Sequence, residues 1–175
     1  IEQITLVETE ETLFLILHSL SASAMEEELA PIQKDPLEFQ GTMVYPFANA
    51  GLLREAFSPL LDEIPTPAFY CTLENAFVFS ESLESLQELI SANNRKATFD
   101  QTRTYKNLET KLPAASSTLY ISEAPQKSKL LRDTLTAGRL EADILDNLPE
   151  DYMVATQLNL ENNYTLSSYQ FMDAG

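Results

Sequence analysis

The stretch AFYCTLENAFVFSESLESLQELI, residues 68–90, holds the two kinds of unit from which the chain is built. Ala68 to Leu73 and Ala76 to Phe79 are rich in aromatic and β-branched residues, and Glu74-Asn75 between them makes a short turn, so a β-hairpin is expected. Ser80 or Ser82 then offers a helix N-cap, with Glu81 and Glu84 near the first turn where the helix dipole favours negative charge. Leu83, Leu86, Leu89 and Ile90 recur at helical spacing and face inward, and Asn93-Asn94 suit the C-terminal end.

The same alternation of hairpins and helices extends in both directions. Upstream, Ile4 to Val7 and Thr12 to His18 flank an acidic loop, Glu8 to Glu11, and predict an antiparallel hairpin. Its second strand carries five apolar residues in succession, Leu13 to Leu17, as a central strand covered on both faces would. Met25 and Leu29 place a short helix between Ser21 and Ile32, with Pro31 as its stop. Gly41 to Phe47 returns to strand, and Asn49 opens a helix whose apolar face is Leu52, Leu53, Phe57, Leu60, Leu61 and Ile64, ended by Pro65 and Pro67.

Downstream, Asp100 or Thr102 starts a helix that runs to Leu112, before Pro113. A strand follows at Thr118 to Ser122, then helical stretches from about Pro125 to Ala137 and about Leu140 to Leu148, separated by Gly138. Tyr152 to Leu160 and Tyr164 to Met172 form a closing hairpin around Glu161, Asn162 and Asn163. Neighbouring hairpins with helices between them predict an α+β fold: an antiparallel or mixed β-sheet with helices packed mainly on one face. Thr12-Leu13-Phe14-Leu15 and Thr118-Leu119-Tyr120-Ile121 each precede a helical stretch and hint at an internal repeat.

With 175 residues, a hydrophobic fraction of 44% and 22% charged residues, the chain is read as a single α+β domain, 1–175, able to build its core without disulfides. It opens at Ile1 without methionine or a basic leader, and so reads as a fragment of a larger protein. Its longest apolar run, Leu13 to Leu17, is too short to span a bilayer. The net charge of -16, from 27 acidic and 11 basic residues, disfavours nucleic acid and anionic membrane surfaces as partners.

Chemistry is sparse. Four glycines in the whole chain leave no phosphate-cradling loop. His18 is the sole histidine and closes an apolar strand, a structural position, and no Gly-x-Ser-x-Gly elbow accompanies it. Cys71 sits within an apolar strand, where burial raises a thiol's pKa and keeps it inert. The acidic cluster Glu141, Asp143, Asp146, Asn147, Glu150 and Asp151 has the hard oxygen ligands calcium prefers but lacks the glycine and alternation of a calcium loop, and it reads as a solvated face, as does Glu26-Glu27-Glu28. Tyr45, Tyr70, Tyr105, Tyr120, Tyr152, Tyr164 and Tyr169 read as half-buried residues with a polar tip, and tryptophan is absent. Asn163-Tyr164-Thr165 matches a glycosylation sequon but is read as turn chemistry. No catalytic, cofactor-binding or metal-ligating residue is assigned.

From Ala68 to Ser122 the order of elements resembles a family of exported, membrane-anchored bacterial proteins catalogued as a domain of unknown function. The resemblance is carried by Asn75-Ala76-Phe77-Val78-Phe79-Ser80, by Ser82-Leu83-Glu84-Ser85-Leu86, by Thr98-Phe99-Asp100 and Tyr105-Lys106-Asn107-Leu108, by Leu112-Pro113 and by Ser117-Thr118-Leu119-Tyr120-Ile121. It implies an extracytoplasmic domain, in the periplasm or cell envelope, and supplies no site residues. The functional reading is a non-enzymatic binding or scaffold domain of an exported bacterial protein, meeting a protein partner through exposed tyrosines or an open sheet edge. A carboxylate-based hydrolase, with or without a metal, is the alternative and needs a pocket of converging acids. An apolar-ligand carrier needs a cavity between the sheet and the helix at Leu52 to Ile64.

Overall fold

In the computed structural model, which describes residues 1–9, 12–57, 66–112, 118–122, 128, 147–149, 152–161 and 164–173, every sheet pairing is antiparallel. Chain contacts define two compact units, Ile1–Thr98 and Phe99–Gly175. The first contains β1 (Gln3–Glu8), β2 (Leu13–His18), α1 (Ala22–Leu29), β3 (Leu37–Phe39), β4 (Thr42–Pro46), α2 (Ala50–Phe57), β5 (Phe69–Leu73), β6 (Ala76–Ser80) and α3 (Leu83–Asn94). Its six strands form one sheet in the order β1-β2-β6-β5-β4-β3. The class is α+β, as the alternation of hairpins and helices implies.

The unbroken apolar run in β2 has the expected consequence. β2 lies between β1 and β6, and its side chains alternate between two core clusters. Leu15 and Leu17 join Phe77, Phe79 and Tyr70 on one face, where α1 contributes Leu29 and α2 contributes Leu53. Phe14 joins Val44, Cys71 and Val78 on the other, where α3 contributes Leu86 and Ile90. Two of this unit's three helices therefore share a face, and the third covers the opposite one. A strand with apolar residues at consecutive positions needs cover on both sides, because successive side chains point in opposite directions.

Caps set the helix starts. Ser21, extended at φ -142°, accepts from the Ala24 N–H and opens α1, which ends in a single 3-10 turn (Ala30–Ile32) at Pro31. Of the two candidate caps for α3, Ser82 is the one used: its hydroxyl accepts from the Ser85 N–H at 3.2 Å, while Ser80 Oγ accepts from the Ser82 N–H. At the other end, the Ala97 N–H bonds the Ala92 carbonyl and the Lys96 N–H bonds the Asn93 carbonyl, a Schellman closure with Lys96 at φ 55°. Asn93 and Asn94 are the last helical residues, so the left-handed position falls on a lysine. Lys96→Gly should therefore raise stability by about 1 kcal/mol, read from urea midpoints, whereas Lys96→Ala, which keeps a Cβ, should not. Equal midpoints for the two variants would contradict strain at this position.

Two features of the first unit differ from the sequence expectation. β3 is a strand the pattern does not announce: it has three residues, and the turn into β4 places Gln40 at φ 48° and Gly41 at φ 80°. Positive φ at both central positions is what a tight hairpin turn requires, and glycine meets it without a Cβ clash. Gln40 is held by α3, donating to Ser91 Oγ at 3.0 Å and accepting from Asn94 Nδ2 at 3.2 Å. In α2, Leu53 is buried but Leu52 is 44% exposed, so Leu52 does not belong to the core face assigned to it; Leu60, Leu61 and Ile64 lie outside the described residues.

The second unit has a 3-10 turn (Phe99–Gln101), α4 (Arg103–Glu109), β7 (Thr118–Ser122), β8 (Tyr152–Glu161) and β9 (Tyr164–Asp173), with the strands ordered β7-β8-β9. Thr102 caps α4, accepting from the Tyr105 N–H at 3.1 Å, and Asp100 falls in the preceding turn. Leu108 packs with Met153, Ala155 and Met172. The helical stretches expected between residues 125 and 148 lie outside the described residues, apart from isolated positions. The strands of the suggested repeat hold unlike places: β2 has a neighbour on each side, whereas β7 pairs with β8 alone among the described residues.

Candidate functional site

The six-stranded sheet has two edges of different character. β3 forms one edge and is short, three residues long, preceded by Pro36 and carrying Glu38. Proline, charge and brevity are common means of keeping an edge from recruiting another strand. β1 forms the other edge. It has six residues, Gln-Ile-Thr-Leu-Val-Glu, with no proline and no basic residue, and among the described residues it pairs with β2 alone. Its central residues Ile4, Thr5, Leu6 and Val7 are all half-buried, with Ile4 and Leu6 packed on the first core cluster and Val7 on the second.

The period of two along β1 sorts its side chains. Ile4 and Leu6 share the face that carries α1 and α2, and Glu8 is exposed at the strand's end. Gln3, Thr5 and Val7 share the other face, and Gln3 Nε2 donates to Thr5 Oγ1 at 3.1 Å. The Glu2 N–H is bonded to the His18 carbonyl at 2.8 Å, which holds the start of β1 against β2. Sequence reasoning finds this strand; it contains no signal that the strand would lie at an edge, because edge position depends on which distant strands pair.

The residues singled out for chemistry are dispersed. His18 is half-buried and ends β2 opposite Gln3 and Ala76, a strand-end position. Cys71 is fully buried in β5, and burial pushes its thiol up to about 12. Glu26, Glu27 and Glu28 are exposed on α1. Glu141, Asp143, Asp146, Glu150, Asp151 and the sequon's Asn163 lie outside the described residues. Among the described residues, no group of three or more histidine, cysteine or acidic side chains is placed to hold a metal ion. No described helix is long and apolar enough to cross a membrane.

Of the tyrosines, Tyr70 is wholly buried and the others with described side chains, Tyr45, Tyr105, Tyr120 and Tyr152, are half-buried. Tyr70 stacks between Tyr45 and Phe79, at centroid distances of 5.2 and 5.3 Å, and Phe47 meets both Tyr70 and Phe79 edge-on. Its hydroxyl accepts a hydrogen bond from Gln33 Nε2 at 2.7 Å. Burial raises the Tyr70 pKa, Gln33 opposes that shift, and nearby Tyr45 and Glu26 add to it. Gln33 is a partner that sequence reasoning misses, since 37 residues separate it from Tyr70. The Tyr70 hydroxyl thus serves the core.

Two surface concavities are defined by described residues. One, of about 410 Å³, is lined by Asn107, Thr110, Lys111, Phe171 and Met172 and holds no carboxylate. The other, of about 690 Å³, runs along the outer side of α3 past Glu84, Glu88 and Arg95. Neither has the converging acids between sheet and helices that a hydrolase needs. Between the sheet and α2, where a carrier would need its cavity, Leu53, Phe47, Tyr70 and Phe79 pack as one cluster. No family model, curated protein or solved structure matches the chain.

Proposed function

We propose that this chain is a non-enzymatic binding or scaffold domain of an exported bacterial protein, acting outside the cytoplasm, and that it takes a protein partner along β1. One observation carries the reading: β1 is a six-residue edge among the described residues, with apolar, half-buried central side chains and without the proline and the brevity found at β3. An unpaired strand edge presents backbone donors and acceptors that an extended segment satisfies, and the flanking side chains supply selectivity. The extracytoplasmic setting rests on the resemblance between Ala68 and Ser122.

The test is site-specific photocrosslinking. A photoreactive side chain at Gln3 should form adducts with a protein from an envelope extract, and the same group at Glu88, exposed on α3, should not. Adducts from neither position, or equally from both, would refute binding at the edge.

A further inference from the structure

We infer that the occupant of β1 is an extended segment of another protein that is apolar on both of its faces, with the pattern apolar-apolar-x-apolar, held through the backbone of Ile4 and Leu6. This inference rests on the proposed binding role of the edge and names the chemistry of what it binds. Antiparallel strands alternate between residue pairs that exchange backbone hydrogen bonds and pairs that do not. Three bonds fix that alternation here. The Thr9 N–H donates to the Thr12 carbonyl at 2.9 Å, one step beyond the Glu8–Leu13 pair, so odd-numbered residues of β1 bond to β2. The Ser19 N–H donates to the Asn75 carbonyl at 3.0 Å, one step beyond the His18–Ala76 pair, so odd-numbered residues of β2 bond to β6 and even-numbered ones to β1. The His18 carbonyl, which accepts from the Glu2 N–H, points towards β1 as that requires. Thr5 and Val7 therefore bond to Ile16 and Phe14, and the N–H and C=O groups of Ile4 and Leu6 point to the other side, where no strand pairs among the described residues.

The side chains of β1 set what fits. A strand added antiparallel, as all others in this sheet are, exchanges bonds with Ile4 and Leu6 and places four successive residues opposite Val7, Leu6, Thr5 and Ile4, in its own N-to-C order. Ile4 and Leu6 pack on the cluster shared with α1 and α2, Val7 packs on the cluster shared with α3, and all three are half-buried. Apolar residues opposite these three extend both clusters and take the remaining apolar surface out of water. A strictly alternating segment would cover one face only. Two β1 strands related by a two-fold axis through Thr5 set Ile4 opposite Leu6, but they also set Val7 opposite Gln3 and leave the α3 side without an apolar partner. The net charge of -16 on each copy opposes self-association as well, so the occupant is a different protein.

The end-blocked peptide Ser-Val-Val-Thr-Val-Ser tests this on the full chain, read by residue-resolved amide hydrogen exchange. Without peptide, the Ile4 and Leu6 amides should exchange fast and those of Thr5 and Val7 slowly; with peptide, Ile4 and Leu6 should slow by about tenfold or more. N-methylation of the second and third valines, which lie opposite Leu6 and Ile4, should abolish this protection, whereas N-methylation of the first valine and the threonine, whose N–H groups point away, should not. Replacing the first valine by serine should weaken binding roughly fivefold, because it removes the apolar contact with Val7. Unchanged binding of the serine peptide would overturn the two-faced pattern and leave the edge reading standing. Failure of the parent peptide to protect Ile4 and Leu6, while crosslinks from Gln3 persist, would overturn the inference alone; failure of both, in a chain whose circular dichroism shows it folded, would overturn the edge reading too. Protection of Ile4 and Leu6 that grows with protein concentration in the absence of peptide would make a second copy the occupant and overturn the inference.

Discussion

Phe79→Ala should destabilise the Ile1–Thr98 unit by roughly 3–5 kcal/mol, a large share of the 5–15 kcal/mol typical of a domain. Phe79 is fully buried in β6, opposite Leu15 of β2 and Tyr70 of β5, so its ring joins three strands of the sheet. It stacks on Tyr70 and meets Phe47 edge-on at 5.3 Å and 75°. Truncation loses the transfer energy of the ring and both aromatic contacts, and it leaves a cavity that a hydrogen-bonded sheet cannot readily close. Leu20→Ala is the control: Leu20 is 78% exposed, and its loss should change stability by less than about 0.5 kcal/mol. Urea unfolding followed by the accessibility of Cys71, which lies in the same unit, reads both variants. A cost below about 1 kcal/mol for Phe79→Ala would mean that the cluster is not packed as described.

Cys71 itself should be nearly inert in the folded chain and should make stability fall at high pH. Its pKa is raised from an ordinary 9.0 to about 12 because burial in β5 penalises the thiolate. Three pKa units lower the thiolate fraction near neutral pH by about a thousandfold relative to the unfolded chain, and the sulfur is also shielded by the core. Labelling by a thiol reagent at pH 8 should therefore proceed only as fast as the unit opens. Above pH 9 the unfolded chain loses this proton while the folded chain keeps it. The contribution to stability is thus fully present below pH 9 and is lost as pH rises towards about 12, by at most about 4 kcal/mol. Tyr70, also raised, contributes in the same direction, so the informative quantity is the difference in alkaline slope between the parent and Cys71→Ala. Identical slopes, or rapid labelling of the folded chain, would show that the thiol is not buried as described.

What was legible in the sequence was local. The hairpin of β5 and β6, a serine cap at Ser80 or Ser82 and the inward face of α3 follow from side-chain period and from a hydroxyl placed before a helical run; the structure decides for Ser82. β2 announces its own burial, since five apolar residues in succession cannot be satisfied by one covered face. β3 stayed hidden because three residues are too few to show a period; pairing with β4 is what makes it a strand. Leu52 and Leu53 are alike in sequence, and only the seating of α2 on the sheet buries one and exposes the other.

The candidate site divides in the same way. That Ile4 to Val7 is a strand is written in the chain, because it follows from neighbours a few residues apart; that the strand takes in Gln3 and Glu8, the latter read as part of the loop, comes from its pairing with β2. That this strand is an edge was decided by tertiary structure alone. β2 has two sides, one taken by its hairpin partner β1 and the other by β6, some sixty residues further along the chain. Among the described residues no strand pairs with the far side of β1, because the remaining strands of this sheet stack beyond β6, ending at β3. Long-range pairing of this kind depends on how whole apolar faces match once helices are seated, and no local pattern encodes it.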